Sequence, residues 1–219
     1  MTLPLEKPTV QVDVVSDVVC PWCIIGFLQL NQALDDLGIA AKLRWHPFEL
    51  NPGMPPEGQN LREHIAEKYG ASVEQSDATR AQLVGLGKSL GFDFVFGAQS
   101  KIVNTFQAHQ LLDWAETQGA QHPLKLALFD VYFSQARDVS DRAVLVQAAA
   151  SVGLDADQAN AVLTAQTHAD QVRAKQQVWT QRGITGVPAM VFDGKYLVTG
   201  AQGRDTYGDI LKRVMAEAA

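Results

Sequence analysis

Apolar and polar residues alternate along Val10-Gln11-Val12-Asp13-Val14 before closing on Val15, a period of two that predicts a strand with one face against a core. From Ile24 to Leu37 apolar positions recur three and four apart, which predicts an amphipathic helix ended by Gly38. Ala40-Ala41-Lys42-Leu43-Arg44-Trp45-His46 predicts a second strand. The chain therefore opens as a βαβ unit, whose strands should be parallel with a right-handed crossover. A Pro/Gly-rich loop follows from Pro47 to Gly58, and the pattern then turns helical from Asn60 to about Gln181, as in Leu61, Ile65 and Tyr69, or Ala108, Leu111, Leu112 and Ala115. Gly70, Gly91, Gly97, Gly119, Pro123, the turn from Asp138 to Asp141, and Gly153 should divide this block into five or six helices. Ser140 or Asp141 is the expected N-cap of one of them.

Extended structure returns at Ala189-Met190-Val191-Phe192 and Lys195-Tyr196-Leu197-Val198-Thr199, joined by Asp193-Gly194, a strong hairpin signal. A final helix is expected from Tyr207 to about Glu217. This order puts the two ends of the chain in one sheet. Residues 1–58 and 182–219 would form a discontinuous α/β domain, with 59–181 as a helical insertion.

The 219 residues are 47% apolar and 19% charged, enough for a globular chain with a real core. A net charge of -6 with no basic stripe argues against a nucleic-acid partner. The stretch from Met1 to Pro8 lacks the positive start, apolar centre and small-residue cleavage site of a secretory signal. No apolar run is long enough to span a bilayer, so no membrane partner is expected. The expected location is cytoplasmic, where a paired cysteine motif is catalytic more often than structural.

Both cysteines of the chain fall in Cys20-Pro21-Trp22-Cys23, between the first strand and the first helix. At a helix start a thiol meets unpaired backbone N–H groups and the positive end of the helix dipole, which favour thiolate. A thiolate attacks disulfides, and a second thiol one turn on can resolve the mixed disulfide. Pro21 suits the first helical position, where its missing N–H costs nothing. The alternatives are weaker. A buried structural pair leaves the helix-start placement unexplained. Structural zinc needs two more ligands, and His46, His64, His109, His122 and His168 are scattered singly, so no metal site is expected. A stabilising disulfide would close too short a loop to matter.

Further stretches carry a family pattern. They are Ser16-Asp17-Val18-Val19 leading into Cys20, Trp45-His46-Pro47-Phe48-Glu49-Leu50-Asn51-Pro52, Asn104-Thr105 with Ala108-His109, and Gly186-Val187-Pro188 running to Gly200-Ala201-Gln202. With this ordered set the chain resembles the DsbA-like thioredoxin superfamily, most closely its FrnE-like branch, over nearly its whole length. The resemblance implies an α/β, thioredoxin-like fold with a helical insertion subdomain. It implies that Val187-Pro188 is cis, with Pro188 beside Cys20 where a backbone edge meets an extended substrate. The chain departs from the branch at Ile24-Ile25, where an aromatic commonly follows the second cysteine. It also lacks the C-terminal cysteine pair of some relatives, which excludes an internal second relay.

The same superfamily includes 2-hydroxychromene-2-carboxylate isomerases and kappa-class glutathione transferases, which typically carry serine at the position of Cys20. The neighbourhood of Asn51, Val187 and Gln202 would suit a glutathione-like ligand. Trp22 is expected either to pack on substrate or to cover the sulfur. His109, at helical spacing from Asn104, would face the site or serve structurally, and the same holds for His46. Asp17, three residues before Cys20, would tune its protonation or sit solvated at the strand end. Phe92, Phe94 and Phe96, and Phe129, Tyr132 and Phe133, should form core or line a cleft. The expected function is thiol:disulfide oxidoreduction on protein or small-molecule thiols and disulfides. Cys20, Cys23 and Pro188 would be catalytic, and Trp22, Asn51, Val187, Asn104, His109 and Gln202 substrate-binding. No cofactor is required, with glutathione as a candidate co-substrate. A glutathione-dependent transferase or isomerase and a noncatalytic binding module are the alternatives.

Overall fold

A computed structural model describes residues 7–218; Met1–Glu6, most of the stretch read for a secretory signal, lie outside the described residues. β1 (Thr9–Ser16) leads into α1 (Pro21–Leu37) and β2 (Ala40–Pro47). β1 and β2 pair in parallel, Thr9 opposite Ala40 through Ser16 opposite Pro47. Next come a short strand β3 (Gln59–Asn60), α2 (Leu61–Tyr69) and α3 (Val73–Ser89). A second short strand, β4 (Lys101–Ile102), pairs antiparallel with β3.

α4 (Phe106–Thr117), α5 (Gln121–Phe129), a π-helical stretch (Asp130–Ser134), α6 (Arg142–Ser151), α7 (Ala156–Ala165) and α8 (Ala169–Gln181) complete the helical block. β5 (Ala189–Phe192) and β6 (Tyr196–Thr199) form the hairpin, and α9 (Arg204–Ala218) closes the chain. Asp193 and Gly194 both have positive φ, 47° and 69°, as a tight two-residue hairpin turn requires.

The sheet order is β2-β1-β5-β6, with β5 antiparallel to both neighbours. This is the thioredoxin-like arrangement expected from the sequence. Side chains alternate across β1. Val10, Val12 and Val14 pack with α1 and α9 through Ile24, Leu30, Tyr207 and Leu211. Val15 points the other way, onto Trp179 of α8 with Ile184 and Ala189. On that second face Asp13 Oδ1 lies 2.7 Å from His46 Nε2, and the His46 ring packs 4.6 Å from Trp179, so His46 has a structural role.

Seven α-helices, not five or six, lie between residues 61 and 181. The additional break separates α7 from α8 at Gln166, which takes a left-handed φ of 50° with no glycine or proline to announce it. Pro123 does not break a helix; it sits in the first turn of α5, where its missing N–H is tolerated. The ribbon of β3 and β4 and the three-residue earlier start of α9 are also additions to the sequence reading. Asp141, of the two candidates, caps α6 by accepting from the Ala143 N–H at 2.7 Å.

β2 is an edge strand, and α5 covers it. Gln121 Nε2 donates to the Trp45 carbonyl and Gln121 Oε1 accepts from the Trp45 N–H, both at 2.9 Å. One side chain thus acts as a strand partner, and Trp45 Nε1 donates to His122 Nδ1 at 3.0 Å beside it. These bonds fix the helical block against the sheet next to the cysteine motif.

Candidate functional site

Cys20 is the N-cap of α1, with extended backbone at φ −92° and ψ 111°, and Pro21 opens the helix. Both cysteines are free thiols. The Cys23 N–H donates to the Cys20 carbonyl at 3.1 Å, so the pair forms the first turn. Cys20 borders an open cleft of about 800 Å³, and its Sγ lies 3.6 Å from the Val187 carbonyl oxygen, to which it donates. The Val187-Pro188 bond is cis.

Cys23 is sealed inside. Burial pushes its thiol well up from the ordinary range, and its hydrogen bond and charge interaction with Cys20 act in the same direction. The two sulfurs therefore differ in access, since Cys20 borders the cleft and Cys23 does not.

Beneath them lies a group of buried ionisable residues. Burial opposes ionisation of Asp17, but His109, the Leu50 N–H and Lys125 outweigh it and hold the carboxyl below its usual value. Asp17 Oδ2 accepts from Leu50 at 2.8 Å. Asp17 Oδ1 lies 3.3 Å from His109 Nε2 without an aligned hydrogen bond, because that N–H donates to the Phe48 carbonyl at 2.9 Å. Lys125 of α5 is 1% exposed, with Nζ 4.8 Å from the Phe129 ring centre and 5.4 Å from that of Trp45. Burial lowers its pKa to about 8, against the opposing pull of Cys23, Asp17 and Cys20.

The cleft gathers Cys20, Trp22, Asn51 and Val187 of the residues singled out from sequence. Trp22 is half-buried at its edge. Asn51 Oδ1 accepts from Lys68 Nζ at 2.6 Å. Pro188 follows Val187, and its carbonyl accepts from the Gly200 N–H at 2.8 Å. Asn104, His109 and Gln202 are not on the cleft wall. Asn104 Oδ1 accepts from the Phe106 N–H at 2.9 Å at the start of α4, and Gln202 Nε2 donates to the Thr199 carbonyl at 2.6 Å. Phe96, Tyr132 and Phe133 line the cleft, whereas Phe94 and Phe129 are core.

Sequence reasoning passed over Lys125 and Arg80, both near this chemistry. The signal for Lys125 was a single charge in the apolar run Leu124-Lys125-Leu126-Ala127-Leu128-Phe129. Arg80 gave no signal, since its surroundings read as a solvated helix face. Among the described residues, no group of three or more His, Cys, Asp and Glu side chains is arranged to hold a metal ion, and no helix is long and apolar enough to cross a membrane.

The model of the DSBA-like thioredoxin domain matches residues 11–212. The chain belongs to this family. Its structure is similar to that of a probable DsbA oxidoreductase from Streptomyces coelicolor, at 32% identity and a TM-score of 0.89, covering 95% of this chain and 91% of that one. By sequence it is 26% identical over 200 residues to the uncharacterized protein YwbO of Bacillus subtilis, covering 91% of this chain and 94% of that protein. The fold is shared with the cytosolic disulfide reductase DsbM of Pseudomonas aeruginosa, at 18% identity and a TM-score of 0.62, covering 95% of this chain and all of that one. DsbM has also been solved with GSH, and in that form the TM-score is 0.58. The family is that of the DsbA-like oxidoreductases.

Proposed function

We propose that this protein is a thiol:disulfide oxidoreductase in which Cys20 exchanges with substrate and Cys23 resolves. The carrying observation is the asymmetry of the two sulfurs in access, with Cys20 on the cleft against the Val187 carbonyl and Cys23 sealed inside, its thiol pushed up from the ordinary range by burial. The Cys20 thiolate attacks a substrate disulfide, forming a mixed disulfide and releasing one substrate thiolate. Cys23 then gives up its proton and attacks the Cys20 sulfur, which forms the Cys20–Cys23 disulfide and releases the second substrate thiol. Two electrons pass from the pair to the substrate, and a more reducing dithiol drives the same steps backwards.

The substrates are thiols or disulfides of proteins or small molecules, and no resident cofactor is needed. Glutathione is the candidate co-substrate, since Asn51 and Val187 lie on the cleft and DsbM carries GSH on the same fold. We assign a cytoplasmic setting, the one named for DsbM, and a place in the FrnE-like branch on the motifs quoted above. A net charge of -6 leaves nucleic acid out of the reading.

Alkylating the reduced protein at mildly acidic pH, followed by peptide mass analysis, tests the roles. Cys20 should be modified first, and Cys23→Ser should accumulate mixed disulfides in an insulin-reduction or glutathione-exchange assay. Preferential labelling of Cys23 would overturn the assignment. Glutathione transfer or isomerisation that survives Cys23→Ser would favour the transferase or isomerase alternative.

A further inference from the structure

The cleft that holds Cys20 is walled on one side by α3, the segment after it and the π-helical stretch. Leu83, Phe96, Tyr132 and Phe133 give this part of the lining an apolar character. One cation, Arg80, stands among them. Its side chain is only 12% exposed, and its Nη2 is buried with no hydrogen-bond partner among the described residues. The acid one helical turn before it does not answer this need. Asp77 Oδ1 is 3.9 Å from Arg80 Nη1 and is held at 2.7 Å by Arg62 Nη2. The Phe96 ring, with its centre 5.9 Å from Arg80 Cζ, adds a cation–π contact and no acceptor.

The other charged groups of the wall each have a partner. Lys101 Nζ donates to the Glu57 carbonyl at 3.2 Å, Arg137 Nη2 to Gln147 Oε1 at 2.7 Å, and Asp138 Oδ1 accepts from Ser140 N and Oγ at 2.8 and 2.6 Å. Arg80 is the cation of this wall that holds a buried donor without a partner among the described residues. A guanidinium fork matches a carboxylate with two parallel bonds, and such a bond strengthens where water is thinned by aromatic walls.

We propose that Arg80 forms a carboxylate subsite of the Cys20 cleft. The substrate class is a low-molecular-weight disulfide whose sulfur is joined to a carboxylate through an apolar ring or chain. The cleft volume of about 800 Å³ matches a ligand of that size. The inference rests on the redox reading of Cys20 and Cys23 for its chemistry but on Arg80 for its binding. With the dicarboxylate aromatic disulfide dithiobis(nitrobenzoate), Cys20 takes one half as a mixed disulfide and releases one aryl thiolate. Attack by Cys23 then releases the second, leaving the protein oxidised and the reagent fully reduced.

The test compares the reduced wild type, Arg80→Gln and Arg80→Lys in stopped-flow oxidation by dithiobis(nitrobenzoate) and by the uncharged dithiodipyridine. Arg80→Gln should slow the carboxylated reagent about tenfold or more, the loss of one charge-assisted bond, and leave the neutral reagent within about twofold. Arg80→Lys, which keeps charge without the fork, should recover part of the loss. Calorimetric titration with nitrobenzoate, which has the ring and carboxylate but no sulfur, should give saturable binding that Arg80→Gln abolishes. An equal effect of Arg80→Gln on both disulfides, or nitrobenzoate binding indifferent to Arg80, overturns the subsite. Nitrobenzoate binding that depends on Arg80, together with wild-type thiols inert to both reagents, upholds the subsite and overturns the redox reading instead.

Discussion

Lys125 predicts a stability that rises with pH in a defined window. Its ammonium is buried against the Trp45 and Phe129 rings, and burial lowers its pKa from 10.5 to about 8. The unfolded chain keeps the proton up to its ordinary value, whereas the folded chain gives it up near pH 8. Between the two the unfolded state binds more protons, so this group's contribution to stability increases with pH. Below pH 8 both states are charged, and folding carries the full cost of burying the charge. At about 1.4 kcal/mol for each tenfold change in proton affinity, that cost is about 3 kcal/mol at neutral pH.

Lys125→Met removes the charge and keeps the apolar stem. The variant should be more stable than wild type by about 3 kcal/mol at pH 7, and the difference should close as pH approaches about 10.5. Urea unfolding of both reduced proteins at several pH values measures it. The difference is the diagnostic quantity because other groups act oppositely in the same range. Burial pushes Tyr207 up to about 12 and Cys23 well up, and an acid that keeps its proton only in the fold loses stability as pH rises. The Tyr207 contribution is common to both proteins, whereas that of Cys23 grows in the variant, because the Lys125 charge that favours its thiolate is gone. A Lys125→Met variant no more stable than wild type at neutral pH, or a gap that ignores pH, would refute the reasoning. The same substitution should slow resolution, because the Lys125 charge is one of the influences favouring the Cys23 thiolate. Stability gained and turnover lost together would mark the lysine as a functional cost carried by the fold.

Other perturbations follow from the packing. Gln121→Ala should destabilise by about 2–4 kcal/mol in urea unfolding, because it leaves the buried Trp45 N–H and carbonyl unpaired, and a loss near zero would mean that water replaces the amide. Gly87→Ala should cost about 1–3 kcal/mol, since the added Cβ would lie 2.5 Å from Phe94 Cδ2 and 2.6 Å from the Phe92 carbonyl oxygen. An unchanged unfolding midpoint in that variant would show that the Phe92–Phe94 segment can shift.

What could be read in the sequence was what neighbours in the chain decide. The alternation of Val10, Val12 and Val14, the Asp193-Gly194 turn and the placement of Cys20 between a strand and a helix are each set within a few residues, and each is in the structure. Partnerships between distant residues gave weaker signals. Nothing local says that β5 inserts between β1 and β6, or that Gln121 serves as the missing strand beside β2. Asn104 and His109 share a helical spacing that drew them toward the site. Yet Asn104 is used by the Phe106 N–H, and His109 spends its N–H on the Phe48 carbonyl. Lys125 and Arg80 invert the problem, because a charged side chain is read by default as solvated. Lys125 contradicts that default in its own helix, where Gln121, Lys125 and Phe129 follow one another by four and all three are buried. A polar residue repeated on a core face is costly unless something answers it. For Gln121 the answer is the edge of β2. For Lys125 it is the acid–thiol group beneath Cys20, which binds the helical block to the chemistry as well as to the sheet.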